Sequence, residues 1–218
     1  MRCTFALALL VAGQALGQVE LRPTATNYSS IDLRKAKKSE KVWEIVVGGR
    51  RTGTTLINLQ EPAEKPPVVA KFQSKKGASL FTIEQNFSDI GFTPWWLTFK
   101  FSGNKLTLIS REWMAAGVND AGDILLKQQM APYMDPTSAP YENVQVMRAI
   151  VRGKPHNLGV IERAQLLPDG SILGFFFEDK SGKRGNGNAQ AGSWFKRYFA
   201  WKEGRTTLKS RVAGSAEG

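Results

Sequence analysis

The chain contains almost no cysteine and almost no histidine, the two residue types on which many metal sites and nucleophilic sites depend. Its 218 residues include one of each, Cys3 and His156. One cysteine cannot form an intramolecular disulfide, and one histidine with one cysteine cannot complete the usual tetrahedral zinc ligand sets. The sequence therefore predicts no structural zinc and no disulfide framework, and we expect no cofactor.

The motifs of several common enzyme classes are also missing. A Ser–His–Asp site would have to use His156, but no Gly-x-Ser-x-Gly motif accompanies it. The glycines of Gly182–Gly187 match neither the dinucleotide-binding spacing nor the phosphate-loop spacing. A pair of carboxylates of the glycosidase type remains open, although Glu44 and Glu84 fall opposite the apolar faces of their predicted strands. These absences favour a protein that is not an enzyme, with a cofactor-free carboxylate hydrolase or isomerase as one alternative.

Long hydrophobic runs are absent too, apart from one at the N-terminus. Arg2 is followed by a mostly apolar run, Cys3–Ala12, and then by small residues in Ala15-x-Gly17. This order is typical of a secretory signal peptide, and the run is shorter than the roughly 20 apolar residues that span a bilayer. We expect cleavage after Gly17, which would remove Cys3 and direct the protein to the periplasm or the exterior of the cell.

Basic residues clearly outnumber acidic ones. The chain has 30 Lys and Arg against 19 Asp and Glu, a formal net charge of +11 and a pI near 9.9. Such a charge favours acidic partners, among them acidic lipid, acidic glycan and nucleic acid. Because the basic residues are spread along the chain, the charge is also compatible with a surface that is merely soluble.

Hydrophobic residues follow a period of two through most of the chain, which predicts β-strands. Val42–Val47 alternates in this way, and Trp95–Phe101 places its odd-numbered residues on one apolar face. A short Gly-Asn connection joins the second segment to Lys105–Ser110 and predicts a hairpin. Asp120–Met130 fits a short helix or a strand, and we favour the helix.

About ten predicted strands, most of them joined by short turns, indicate a mainly β fold. We expect an antiparallel meander that forms a barrel or a sandwich with one or two short helices. This layout resembles the calycin and lipocalin type of β-barrel, although the Gly-x-Trp signature of lipocalins is absent before Trp43. Along the chain, we expect a signal peptide in 1–17, an extended or partly disordered lead-in in 18–40, one β-rich domain in 41–212 and a disordered tail in 213–218.

Aromatic and arginine side chains on the inner faces of such strands could line a ligand cavity. Alternation places Arg197 on the same face as Phe195, Phe199 and Trp201. If this face is turned to the core, Arg197 needs an anionic partner such as Glu162, Glu178 or a ligand acid. Arg148 would likewise need an anionic partner if it lies on an inner face. The candidate ligand-binding residues are Trp43, Trp95, Phe99, Arg148, Arg197 and Phe199.

Paired basic residues occur in three predicted turns and could form one anion-binding rim if these turns lie at the same end of the fold. The candidate rim residues are Arg50, Arg51, Lys75, Lys76, Lys183 and Arg184. Together the patterns predict an exported, non-enzymatic protein that holds an apolar or amphipathic ligand, such as a lipid, in a β-barrel. The alternative is an adhesin or effector whose basic surface binds acidic glycan, lipid or nucleic acid.

Overall fold

The computed structural model describes residues 18–58, 66–73, 78–85, 95–130, 144–182, 184–185 and 195–213. These ranges contain sixteen β-strands and no helix. Every paired strand runs antiparallel to its neighbour. The predicted mainly β, antiparallel fold is therefore confirmed.

The strands follow one another along the chain as four meander sheets. The first sheet consists of β1 (Val19–Pro23), β2 (Val42–Val47) and β3 (Arg50–Ile57). The second sheet consists of β4 (Val69–Gln73), β5 (Ser79–Gln85), β6 (Trp95–Ser102) and β7 (Lys105–Ser110). The third sheet consists of β8 (Met114–Val118), β9 (Ile124–Met130), β10 (Val144–Val151) and β11 (Lys154–Val160). The fourth sheet consists of β12 (Arg163–Leu166), β13 (Ile172–Glu178), β14 (Arg184–Gly185), β15 (Phe195–Lys202) and β16 (Arg205–Ala213).

Successive sheets pack against each other through three separate hydrophobic clusters. One cluster joins the first and second sheets and includes Trp43 and Phe99. Another joins the second and third sheets and includes Leu80 and Leu126. The last joins the third and fourth sheets and includes Phe199. The order of the sheets in space thus follows their order along the chain.

The second sheet is buried on both of its faces. The first sheet packs on one face and the third sheet on the other, which explains why Trp96 and Thr98 are buried although alternation predicts a half-exposed strand. The Thr82 and Thr98 hydroxyls lie 2.9 Å apart, and the Thr82 hydroxyl accepts the backbone N–H of Ala115 at 3.0 Å. These hydrogen bonds satisfy polar groups that the contact between two sheets would otherwise leave unpaired.

The structure corrects three details of the predicted fold. None of the four sheets closes into a barrel within the described ranges. Instead, each sheet packs against the preceding one through a hydrophobic cluster. The described residues form sixteen strands instead of about ten, and the additional ones include β1 in the lead-in, the two-residue β14, and β9 in place of the favoured helix. The favoured helix in Asp120–Met130 is wrong, because β9 pairs with both β8 and β10.

Two turns have the backbone conformation that their residues favour, and the first of them is the predicted Gly-Asn connection. Gly103 and Asn104 both have left-handed φ values, 56° and 68°, as the tight hairpin between β6 and β7 requires. Gly170 ends the Pro-Asp-Gly turn between β12 and β13 with a φ of 83°. In both cases, local residue chemistry determines the turn.

The lead-in is attached to β3 by hydrogen bonds. Ile31 donates its backbone N–H to the Thr55 carbonyl at 3.2 Å, and the guanidinium of Arg111 donates to the Ile31 carbonyl at 2.7 Å. Arg34 forms two hydrogen bonds, of 2.8 and 2.9 Å, with the carboxylate of Glu40. The Arg34 guanidinium thereby lowers the pKa of Glu40 from 4.5 to about 2.

A lowered carboxyl pKa makes this ion pair sensitive to acid. The folded pKa lies below the unfolded one, so the pair stabilises the protein fully above pH 4.5 and loses its effect between pH 4.5 and about 2. We expect Glu40→Gln to lower the free energy of unfolding by about 1 kcal/mol at neutral pH, as for other partly exposed pairs. Denaturant unfolding at several pH values should show this difference shrinking as the pH falls towards 2. Glu203→Gln, in the exposed Arg152–Glu203 pair, is the control and should show a smaller difference; a difference for Glu40→Gln that persists in acid would contradict the assignment.

Candidate binding surface

The fourth sheet has one buried face and one open face. On the buried face, Phe176, Phe199 and Trp201 pack against the third sheet. Because side chains alternate along a strand, the neighbouring residues of β13 and β15 point away from this core. We call their side the outer face; it carries Leu173, Phe175, Phe177, Lys196, Tyr198 and Val212, whose register places them together.

The outer face exposes several large apolar side chains. Leu173 is 45% exposed, Tyr198 36% and Val212 50%. A shallow groove of about 330 Å³ crosses this part of the sheet. It is lined by Arg163, Ala164, Gln165, Leu173, Gly174, Phe175, Tyr198, Phe199 and Lys209. Apolar surface that stays exposed and contiguous is a common property of interaction sites.

Aromatic rings and a lysine form the centre of the outer face. The ring of Phe175 lies 5.8 Å from the rings of both Phe177 and Tyr198. The ammonium group of Lys196 lies 4.1 Å from the centre of the Phe175 ring and 5.4 Å from that of Tyr198. These distances are within the range of cation–π attraction, which holds the ammonium group over the rings.

The charged residues known to line the groove are basic. Arg163 and Lys209 are both exposed there, and no Asp or Glu is found among the described residues of the lining. Lys196 adds a third positive charge on the same face. The surface therefore combines apolar contact area with positive charge, a combination that suits a partner that is both apolar and anionic.

The end of the same sheet carries a second group of charges, on its inner side. The Nε atoms of Arg197 and Arg211 each lie 3.0 Å from Glu178 Oε1, and this carboxylate is buried. The structure thus gives Arg197 the Glu178 partner that the sequence offered as one alternative. Arg184 lies beside this pair, with its guanidinium 3.9 Å from the centre of the Phe176 ring.

The structure does not bring the predicted ligand-binding residues together. Trp43 and Phe99 lie in the first core cluster, and Phe199 lies in the cluster between the third and fourth sheets. Arg148 lies 4.6 Å from the centre of the Trp113 ring, with no ion pair to a described residue. The backbone of Trp95 begins β6, while its side chain is outside the described part. Without barrel closure, Trp43 and Phe99 pack between one pair of sheets and Phe199 packs between another.

The predicted rim residues are also dispersed where they are described. Arg50 and Arg51 both lie on β3 of the first sheet. Arg50 bonds to the side-chain amide oxygen of Asn104 in the second sheet, and Arg51 pairs with Glu44 on β2. Arg184 is in the fourth sheet. Lys75, Lys76 and Lys183 lie outside the described residues, so a rim that includes them stays a prediction.

The structure corrects the expectation that Glu44 faces solvent. It is buried, and Arg51 Nε donates to its carboxylate at 2.7 Å. This hydrogen bond lowers the pKa of Glu44 despite the opposing effect of burial. The residue is therefore engaged in an ion pair and was misplaced by simple alternation.

Sequence reasoning missed Leu173, Phe175 and Tyr198 as site residues. A signal was present, because β13 is apolar on both faces, as a strand covered on both sides would be. The sequence does not say whether a further layer covers the second face. In the structure, the third sheet covers only the inner face, which leaves the other apolar set exposed.

Comparisons with protein-family models, with curated proteins and with solved structures found no significant match for this chain. Among the residues that the structure describes, no helix has the length and apolar character needed to cross a membrane. The same residues contain no group of three or more His, Cys, Asp or Glu side chains arranged to hold a metal ion.

Proposed function

We propose that this protein is exported and binds anionic lipid surfaces, without enzymatic activity, through the outer face of the fourth sheet. The observation that carries the proposal is the coincidence of exposed Leu173, Tyr198 and Val212 with three basic residues on one sheet face. Cleavage after Gly17 would leave the described strands intact, because β1 begins at Val19.

The apolar component of the face favours lipid over other acidic partners. Leu173 and Val212 are aliphatic, so they cannot stack on nucleobases as aromatic rings do. At a lipid surface, leucine and aromatic side chains gain free energy by entering the boundary between headgroups and acyl chains. Tyr198 combines an apolar ring with a hydroxyl group, which suits the same boundary.

The basic component supplies attraction to anionic headgroups. A Lys or Arg close to an anionic bilayer contributes about 1 kcal/mol to binding, and the effect declines within a Debye length. Arg163, Lys196 and Lys209 are positioned to act in this way. The net charge of +11 would also increase the rate at which the protein encounters such a surface.

This proposal keeps the amphipathic partner that the sequence favoured and places it on an open surface instead of inside a barrel. The groove of about 330 Å³ is open to one side of the sheet. It lies near the lower limit of ligand-pocket volumes, about 300 Å³. A surface partner that covers the whole face therefore fits better than an enclosed small molecule.

Vesicle binding tests the proposal, with two leucines as a matched pair. Leu173 and Leu208 are similarly exposed, at 45% and 51%, but Leu208 pairs with Phe199 and so lies on the other side of the sheet. We expect Leu173→Ser to weaken binding to phosphatidylglycerol-containing vesicles about tenfold, which corresponds to about 1.4 kcal/mol of apolar burial. Leu208→Ser should bind like the wild type in the same co-sedimentation assay.

Charge variants and alternative partners complete the test. Lys209→Gln should weaken vesicle binding about fivefold, whereas Lys105→Gln, an exposed lysine of β7, should have a smaller effect. Equal binding to pure phosphatidylcholine vesicles, or equal losses in Leu173→Ser and Leu208→Ser, would overturn the proposal. So would binding to single-stranded DNA or heparin with no binding to anionic vesicles.

A further inference from the structure

Three arginines lie close to one buried carboxylate at the end of the fourth sheet. Arg197 and Arg211 share the Oε1 atom of Glu178, each through its Nε atom at 3.0 Å. Arg184 is directly opposite Glu178 in the pairing of β13 with β14. We call Arg184, Arg197 and Arg211 the arginine cluster.

The arginine cluster carries more positive charge than its protein partners neutralise. Arginine stays protonated in proteins, so three guanidinium groups stand against one carboxylate, that of Glu178, in the ion pairs of this cluster among the described residues. The adjacent Asp179 carboxylate accepts the Ser181 hydroxyl at 2.6 Å, and the backbone carbonyl of Asp179 accepts Arg211 Nη2 at 3.1 Å. Two of the arginine side chains are also partly shielded from water, with Arg197 22% and Arg211 35% exposed.

Arg184 is the least compensated member of the cluster. Its guanidinium lies over the Phe176 ring, and Nη1 donates to the Leu158 carbonyl at 3.1 Å. It has no ion pair with any residue that the structure describes. Burial consequently lowers the pKa of Arg184. The charge of nearby Glu178 opposes this effect but does not overcome it, so a further anion would stabilise the partly buried Arg184 guanidinium.

We propose that the arginine cluster binds a phosphate group, as free phosphate or as part of a small soluble phosphate monoester. Guanidinium groups present forked N–H donors that match phosphate oxygens, and they do so better than ammonium groups. Within the described ranges, no hydrogen bond occupies the Nη2 atoms of Arg184 and Arg197. A phosphate group would add negative charge where the three guanidinium groups share one paired carboxylate.

The phosphate site is separate from the lipid-binding face. Arg197 and Glu178 are on the inner side of the sheet, because they share the face of the buried Phe199 and Phe176. The inference therefore does not depend on the proposed function. A phosphate-site variant should leave vesicle binding unchanged, so that failure of either proposal can be recognised separately.

Arg184→Gln is the decisive variant because it leaves the two Glu178 ion pairs in place. We expect inorganic phosphate to raise the Tm of the wild-type protein in a saturable manner, beyond the effect of chloride at equal ionic strength. Arg184→Gln should weaken the phosphate affinity at least tenfold by isothermal titration calorimetry. Arg152→Gln, which alters an exposed arginine paired with Glu203, should retain wild-type affinity.

A conservative variant keeps the test informative if Arg184→Gln does not fold. Arg184→Lys retains the charge but loses the forked geometry, and we expect an affinity between those of the wild type and Arg184→Gln. The proposal is overturned if phosphate and chloride have equal effects on the wild type. It is also overturned if Arg184→Lys, or a folded Arg184→Gln, binds phosphate as tightly as the wild type.

Discussion

We expect Gly174→Ala to destabilise the protein by about 3 kcal/mol, the upper part of the usual range for overpacking. A Cβ atom at this position would lie 2.4 Å from the backbone carbonyl oxygen of Arg163 and 2.8 Å from a ring carbon of Phe199. The carbonyl belongs to β12, so relief of the clash requires movement of a paired strand. Denaturant unfolding followed by Trp fluorescence measures the loss.

Gly117→Ala is the matched control for this substitution. Gly117 is also a strand residue without a positive φ, and a Cβ there would meet only Leu125 Cβ, at 3.9 Å. We expect no loss of stability, and a gain of up to about 1 kcal/mol is compatible with lower chain entropy in the unfolded state. Similar unfolding midpoints for Gly174→Ala and the wild type would show that β12 is not held against β13 as described.

Gly174→Ala also tests the proposed lipid-binding surface. Gly174 lines the groove, together with Arg163 and Phe199. Displacement of β12 would move Arg163 away from the aromatic centre of the outer face. A folded Gly174→Ala protein should therefore also bind anionic vesicles more weakly than Gly117→Ala.

Asp123→Ala should cost about 3 kcal/mol, because it removes the acceptor at the centre of a buried polar network. The Asp123 carboxylate accepts the backbone N–H of Arg152 at 2.7 Å and the side-chain amide of Asn119 at 3.0 Å. That amide also donates to the Leu167 carbonyl at 3.0 Å. Asp123 and Asn119 together thus connect two turns of the third sheet to the turn between β12 and β13.

Two variants separate this network from a general effect of lost charge. Asp123→Asn retains an oxygen for the Arg152 N–H but presents an amide to Asn119, so we expect about half the loss seen for alanine. Glu162→Ala removes an exposed carboxylate and should change the free energy of unfolding by less than about 0.5 kcal/mol. Equal effects of Asp123→Ala and Glu162→Ala in thermal or denaturant unfolding would contradict the assigned role.

The strand content could be predicted because it depends on short-range patterns. Alternation of apolar and polar residues identified β2 and β6. Gly103 and Gly170, which adopt left-handed φ values without strain, mark two of the turns. The residues of β9 were assigned to a helix because a short apolar run has no distinctive period. Pairing with β8 and β10 determines the outcome there.

The candidate site could be predicted only in part. Alternation placed Arg197 on one face with Phe195, Phe199 and Trp201, and Glu178 was one of its proposed partners if that face was turned to the core. The outer-face residues were missed because exposure depends on how many layers the sheets form. Arg184 was assigned to a rim, yet it lies beside the Glu178 pair because β14 pairs with β13.

The sequence by itself determined that this is an antiparallel β protein with a strongly basic charge and with little histidine and cysteine. It also determined several of the turns. These properties depend on composition and on residues close together along the chain. Only the tertiary structure decided that the meanders form successive packed sheets and that the outer face of the fourth sheet stays open. The physical reason is that alternation tells which residues share a face, whereas burial of that face depends on a neighbouring sheet encoded elsewhere in the chain.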